Sequence, residues 1–113
     1  MLRLDEYRDS DIVVIKASGK MLDTDALKLS EKVKELAGKG NHKIILDLNG
    51  ISLLNSCYGL GIIAACWGCL NKVNGNLKIA QPSDKVAQLL GITKLNQVID
   101  VHSTVEQAIK SFR

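Results

Sequence analysis

Residues 43–61 read Lys43-Ile44-Ile45-Leu46-Asp47-Leu48-Asn49-Gly50-Ile51-Ser52-Leu53-Leu54-Asn55-Ser56-Cys57-Tyr58-Gly59-Leu60-Gly61. The run 43–48 is short and apolar, interrupted by Asp47, as expected of a strand buried on both faces of a parallel sheet. Asn49-Gly50 reads as a turn, and 51–54 as a short extended continuation. Asn55-Ser56 then offers side-chain oxygens to the free N–H groups of a helix start. Residues 58–73 have helical length, and Asn74-Gly75 supplies the stop. A buried strand feeding a helix is the unit from which parallel sheets are built.

The flanking sequence repeats that unit. Residues 2–7 alternate as an edge strand would, 8–11 form a polar turn, and 12–17 are apolar and rich in β-branched side chains, a strand that Gly19 ends. Asp23 or Thr24 caps a helix in which Ala26, Leu29, Val33, Leu36 and Ala37 recur at helical spacing until Gly38 and Gly40. Beyond the central helix, 77–80 form a strand. Ser83 caps a helix carrying Val86, Leu89 and Leu90, which Gly91 ends, and 97–101 form a last strand. Ser103-Thr104-Val105-Glu106 is a capping box opening a final helix with Ala108, Ile109 and Phe112 inward. The expected architecture is α/β: a mostly parallel sheet of four to five strands with an antiparallel edge, covered by about four helices, in one domain spanning 1–113.

Composition narrows the function classes. The 113 residues are 46% hydrophobic and 24% charged, ordinary values for a globular chain. Fifteen basic and twelve acidic residues are interspersed, and aromatics total 4%, so the electrostatic footprint of a nucleic-acid binder is missing. The longest nearly apolar run, 60–70, at about 1.5 Å per residue is too short to cross a ~30 Å hydrocarbon core. No signal-peptide pattern opens the chain. Three cysteines, an odd number, point to a reducing compartment, and a cytoplasmic location is expected.

The segment 55–61 is where chemistry would concentrate. A helix start presents free N–H groups and the positive end of the helix dipole, which suit an anion, including a phosphoryl group on a capping serine. A plainer reading keeps Ser56 as a simple cap, with glycines easing close packing.

A resemblance bears on that choice. Residues 12–19, the acidic turn at 23–26, Lys43-Ile44-Ile45-Leu46-Asp47-Leu48-Asn49-Gly50-Ile51, the segment 55–61 and Leu89-Leu90-Gly91-Ile92-Thr93-Lys94-Leu95 resemble, in order and spacing, the landmarks of the STAS domain. That fold is shared by anti-sigma factor antagonists and sulphate-transporter tails. The resemblance implies a protein that catalyses nothing and binds an anti-sigma factor with serine kinase activity. It also implies switching by phosphorylation at the start of the central helix, because about two negative charges there disrupt docking through repulsion and desolvation. The partner-binding surface it implies comprises Asp23, Asn55, Ser56, Cys57, Tyr58, Gly59 and Gly61.

The segment departs from the family signature, D-S-S-G-L-G. Its aspartate is Asn55 here. Its acceptor serine falls on Cys57 when aligned from Asn55, and on Tyr58 when aligned back from Gly59-Leu60-Gly61, because the segment is one residue longer. The acidic turn residue falls on Leu22 or Asp23. Ser56 is the hydroxyl left at this site for a serine kinase, and so the phosphorylation candidate; a STAS scaffold that binds without phosphorylation is the alternative.

Projected at about 100° per residue, Gly59, Ile62, Ile63, Cys66, Leu70 and Val73 form the face of the central helix that packs on the sheet. Gly61, Ala65 and Gly68 form a stripe of small residues opposite, suited to a neighbouring helix of the same chain, to a partner, or to a homodimer. Trp67 reads equally as an exposed anchor or a core-edge residue.

Other readings are weaker. Cys66-Trp67-Gly68-Cys69 lies within a helix, not at the helix start that activates redox CxxC pairs. The three cysteines with His42 and His102 lack zinc-ligand spacing, and both histidines are expected in solvent. Asp47 is expected to be structural, at a strand end. No phosphate-loop lysine or dinucleotide fingerprint is present, so neither metal nor cofactor is expected. The rival from another class is a small thiol-dependent enzyme using Cys57 near the helix start, although no histidine lies near it in sequence.

Overall fold

The computed structural model describes residues 2–21, 23–54 and 56–112, without the side chains of 23–24, 52–54 and 56–58. Five strands form one sheet: β1 (Leu2–Asp9), β2 (Ile12–Met21), β3 (Lys43–Leu54), β4 (Asn76–Ala80) and β5 (Val101–His102). Their spatial order follows the chain, β1-β2-β3-β4-β5. β1 pairs antiparallel with β2, and the remaining pairs are parallel. The connections carry α1 (Asp23–Gly38), α2 (Ser56–Asn71) and α3 (Asp84–Ile92), and α4 (Val105–Ser111) follows β5. Right-handed crossovers that all advance in one direction put α1, α2 and α3 on the same face of the sheet.

Strand alternation then divides the core in two. Val13, Ile15, Ala17, Ile44, Leu46, Leu48, Leu77 and Ile79 join the buried residues of α1, α2 and α3 in a large cluster. Ile12, Val14, Ile45 and Ala80 pack with Ala108, Val105 and Ile109 of α4, and with Phe112 just beyond it, on the other face. Lys78 fastens α4 there. It is 6% exposed, and its Nζ donates to Ser111 Oγ at 2.7 Å, lies 3.2 Å from Asp100 Oδ2 and sits 4.6 Å from the centre of the Phe112 ring.

The α/β architecture agrees with the expectation, but several boundaries differ. Gly19 does not end β2, which continues to Met21 with Gly19 at φ 94°. Nor is Asn49-Gly50 a turn: β3 runs through it to Leu54. Opposite Lys16-Ala17-Ser18, β3 has one extra residue, since Lys16 pairs with Asp47 and Ser18 with Gly50. This is a bulge, at which the strands come very close. A Cβ on Gly50 would lie 2.6 Å from Ser18 Cβ, so this glycine permits the approach of β2.

Asn74-Gly75 does stop α2, with the duties divided. Asn74 takes the left-handed backbone at φ 62°, while a Cβ on Gly75 would lie 2.5 Å from the His42 carbonyl oxygen. The last strand is short because local turn bonds take residues 95–99: the N–H groups of Val98 and Ile99 both donate to the Leu95 carbonyl. Ser83 caps α3 as expected, accepting from the Val86 N–H. The capping box of α4 is displaced by one residue: Thr104, not Ser103, is the cap and accepts from the Gln107 N–H at 3.1 Å.

Candidate functional site

The register of β2 and β3 defines the site. Met21 pairs with Leu54 at the carboxyl ends of these neighbouring parallel strands. α1 starts at Asp23 and α2 at Ser56, each two residues beyond its member of that pair. The two helix starts therefore emerge side by side at one edge of the sheet. This is the edge at which open α/β sheets present their sites. Asp23 and Ser56, 33 positions apart in sequence, occupy equivalent places there.

The sixteen residues of α2 include no charged side chain, and its first turn has no acid to offset the helix dipole. Of the surface residues expected from sequence, Asn55 lies outside the described residues, as do the side chains of Asp23, Ser56, Cys57 and Tyr58. The capping roles of Asp23, Thr24, Asn55 and Ser56 fall outside them too. Gly59 is buried and so offers a partner no surface of its own; Gly61 is exposed.

Further along α2 the projected face is largely the one used. Ile63, Cys66 and Leu70 are buried and Ile62 packs against the core, but Val73, beyond the helix end, is 43% exposed. Among the described residues, the helix neighbour considered for the opposite stripe is absent at both glycines: a Cβ on Gly61 or on Gly68 would meet nothing within 4 Å. Ala65 is exposed, and Trp67 is half-buried against the main core cluster.

Burial pushes the Cys66 thiol up to about 11, with Cys69 adding to the shift and Lys34 opposing it. A redox pair needs the opposite change. His42 and His102 are half-buried, not in solvent. The His42 backbone packs against Gly75, and the His102 ring Nε2 lies 3.3 Å from Ser111 Oγ. Among the described residues no group of three or more His, Cys, Asp or Glu could hold a metal ion, and no helix is long and apolar enough to cross a membrane.

One constellation was not anticipated. Asp47 lies within β3, not at its end, and is 3% exposed. Its Oδ1 accepts from the Asn49 N–H at 3.0 Å, within the bulge, and from Gln81 Nε2 at 3.1 Å. Gln81 follows β4 with a left-handed backbone, φ 54°. The only sequence signal was an acidic residue in an apolar run; its partner, 34 positions away, left none.

Comparison with known proteins agrees with this geometry. Residues 3–108 match the STAS domain, and the chain belongs to that family. A Thermotoga maritima protein provisionally named an anti-sigma factor antagonist is 28% identical over 109 residues, covering 95% of this chain and 96% of that one. The anti-sigma-B factor antagonist of Bacillus subtilis is 26% identical over 109 residues, covering 96% and 98%. Among solved structures, the anti-sigma factor antagonist SpoIIAA in its unphosphorylated form superposes with a TM-score of 0.84 at 21% identity, over 98% of this chain and 96% of that one. The phosphorylated form of SpoIIAA, from Bacillus, gives 0.74 at 21%, over the whole of both chains.

Proposed function

We propose that the chain acts as a single non-catalytic binding module, an anti-sigma factor antagonist whose partner is an anti-sigma factor with serine kinase activity. The docking surface is the sheet edge where α1 and α2 begin, built from Asp23, Asn55, Ser56, Cys57, Tyr58 and Gly61, with Gly59 buried in the first turn of α2. The observation that carries this reading is the Met21–Leu54 pairing, which sets the two helix starts together. The uncharged α2 supports it, since an uncharged patch can be desolvated at low cost. The names of the relatives supply the partner class, and SpoIIAA, solved with and without phosphorylation, supplies the precedent for a switch.

Ser56 is the proposed phosphoryl acceptor. Incubation with ATP and the cognate kinase should add one phosphoryl group to the intact mass, and Ser56→Ala should abolish it. Ser56→Glu should weaken partner binding; unchanged affinity would remove the helix start from the docking surface. The displaced signature, with Cys57 or Tyr58 at the family's acceptor place, favours a second reading: a scaffold that binds without being phosphorylated. Tight kinase binding with no mass gain would select it.

A further inference from the structure

The open part of the sheet's second face holds a row of charges spanning three strands. The ladder sets Asp5 of β1 opposite Lys16 of β2, and Lys16 opposite Asp47 of β3. These residues, with Ser18, Asn49 and Gly50, line a cleft of about 250 Å³. Asp5 is paired with Arg3 at 3.0 Å. The Lys16 ammonium, the Ser18 hydroxyl and the Asn49 amide have no side-chain partner among the described residues.

Asp47 makes the cleft more than a surface dent. Both of its hydrogen bonds fall on Oδ1, although the residue is 3% exposed. Its Oδ2 accepts none among the described residues, where the one sealed side-chain atom without a partner is Asn76 Oδ1. Asp47 Oδ2 is therefore not sealed off, and Asp47 lines the cleft. A buried carboxylate oxygen with no donor is costly unless a ligand or solvent supplies one. Gln81, in a left-handed conformation that non-glycine residues adopt at a cost, donates to Oδ1 and leaves Oδ2 free.

We propose that this cleft binds a small zwitterion of amino-acid size. Its ammonium group donates to Asp47 Oδ2, and its carboxylate takes Lys16 Nζ and the Ser18 hydroxyl. Neighbouring strands are about 4.8 Å apart, so a compact molecule can meet the anionic and the cationic strand at once. A metal ion suits the row poorly, because Lys16 stands between the carboxylates and would repel it. The proposal is independent of the docking surface and of Ser56.

The test is a ¹H–¹⁵N NMR titration of the full chain with β-alanine and γ-aminobutyrate, with propylamine, propionate and magnesium chloride as controls. Saturable shifts should appear at the amides of Lys16, Asp47, Asn49 and Gly50, with the better zwitterion binding about ten-fold tighter than either singly charged control, a difference of about 1.4 kcal/mol. Asp47→Asn keeps an acceptor at Oδ1 and replaces Oδ2 with a donor, so it should abolish these shifts while leaving the rest of the spectrum in place. Lys16→Met, at an exposed position, should weaken the zwitterion to the level of propylamine. Absence of saturable shifts at these amides overturns the proposal. So does equal binding of propylamine or magnesium, or binding that survives in Asp47→Asn or is unchanged in Lys16→Met; if Asp47→Asn misfolds, Lys16→Met decides.

Discussion

Replacing Gly61 and Gly68 together by alanine should make the protein more stable. Both glycines lie inside α2, where glycine costs roughly 1 kcal/mol relative to alanine, largely through the greater freedom of the unfolded chain. The usual counterweight is a clash, and among the described residues none exists at either position, since an added Cβ meets nothing within 4 Å. The two sites are seven residues apart, about 10 Å along the helix, so their effects should add. The expected gain is about 2 kcal/mol, which for a domain of this size raises Tm by about 8 °C. Urea titration followed by the fluorescence of Trp67, half-buried against the core, measures it directly. Gly75→Ala is the opposing control: its Cβ would lie 2.5, 2.9 and 3.1 Å from the His42 carbonyl oxygen, Cβ and Cα. That crowding involves backbone atoms and should destabilise by about 1–3 kcal/mol. A neutral or negative result for the double variant would refute the claim that this side of α2 faces open space within the chain.

Three further outcomes follow from the same contacts. Lys78→Met keeps the buried stem but loses the bonds to Ser111 and Asp100 and the contact with Phe112. It should destabilise by about 1–2 kcal/mol, with hydrogen exchange rising first in α4. Cys66, pushed up to about 11 by burial, should stay unreactive to iodoacetamide at a pH where the half-buried Cys69 is alkylated. The same shift makes stability fall as pH rises from about 9 towards 11, because the unfolded chain loses this proton first, and Cys66→Ala should flatten that slope in a pH series of urea titrations.

Much of the fold was legible because its causes are local. The apolar run at 43–48 and the β-branched run at 12–17 marked β3 and β2, and the 3.6-residue spacing of Ala26, Leu29, Val33 and Leu36 marked α1. Ser83 marked the start of α3 because its hydroxyl reaches an N–H three residues away. Glycine was the weak point. Gly19 and Gly50 look like punctuation in a sequence, yet one sits in a strand at positive φ and the other lets β2 approach a bulge. The strand reading of 97–101 failed for a related reason: turn bonds to the Leu95 carbonyl compete with the ladder, and an apolar pair such as Val98-Ile99 does not reveal which prevails.

The site divides in the same way. That a polar, glycine-rich segment with Ser56 opens the central helix was visible in the chain, since capping chemistry and helix spacing act over a few residues. That the start of α1 stands beside it depended on the pairing of Met21 with Leu54, which no short-range pattern encodes. Asp47 could be seen as an acid within an apolar run. Its burial, the amide of Gln81 on one oxygen and the opening beside the other arise only when β2, β3 and β4 lie side by side, because hydrogen bonds between residues 34 positions apart exist only after the chain has folded.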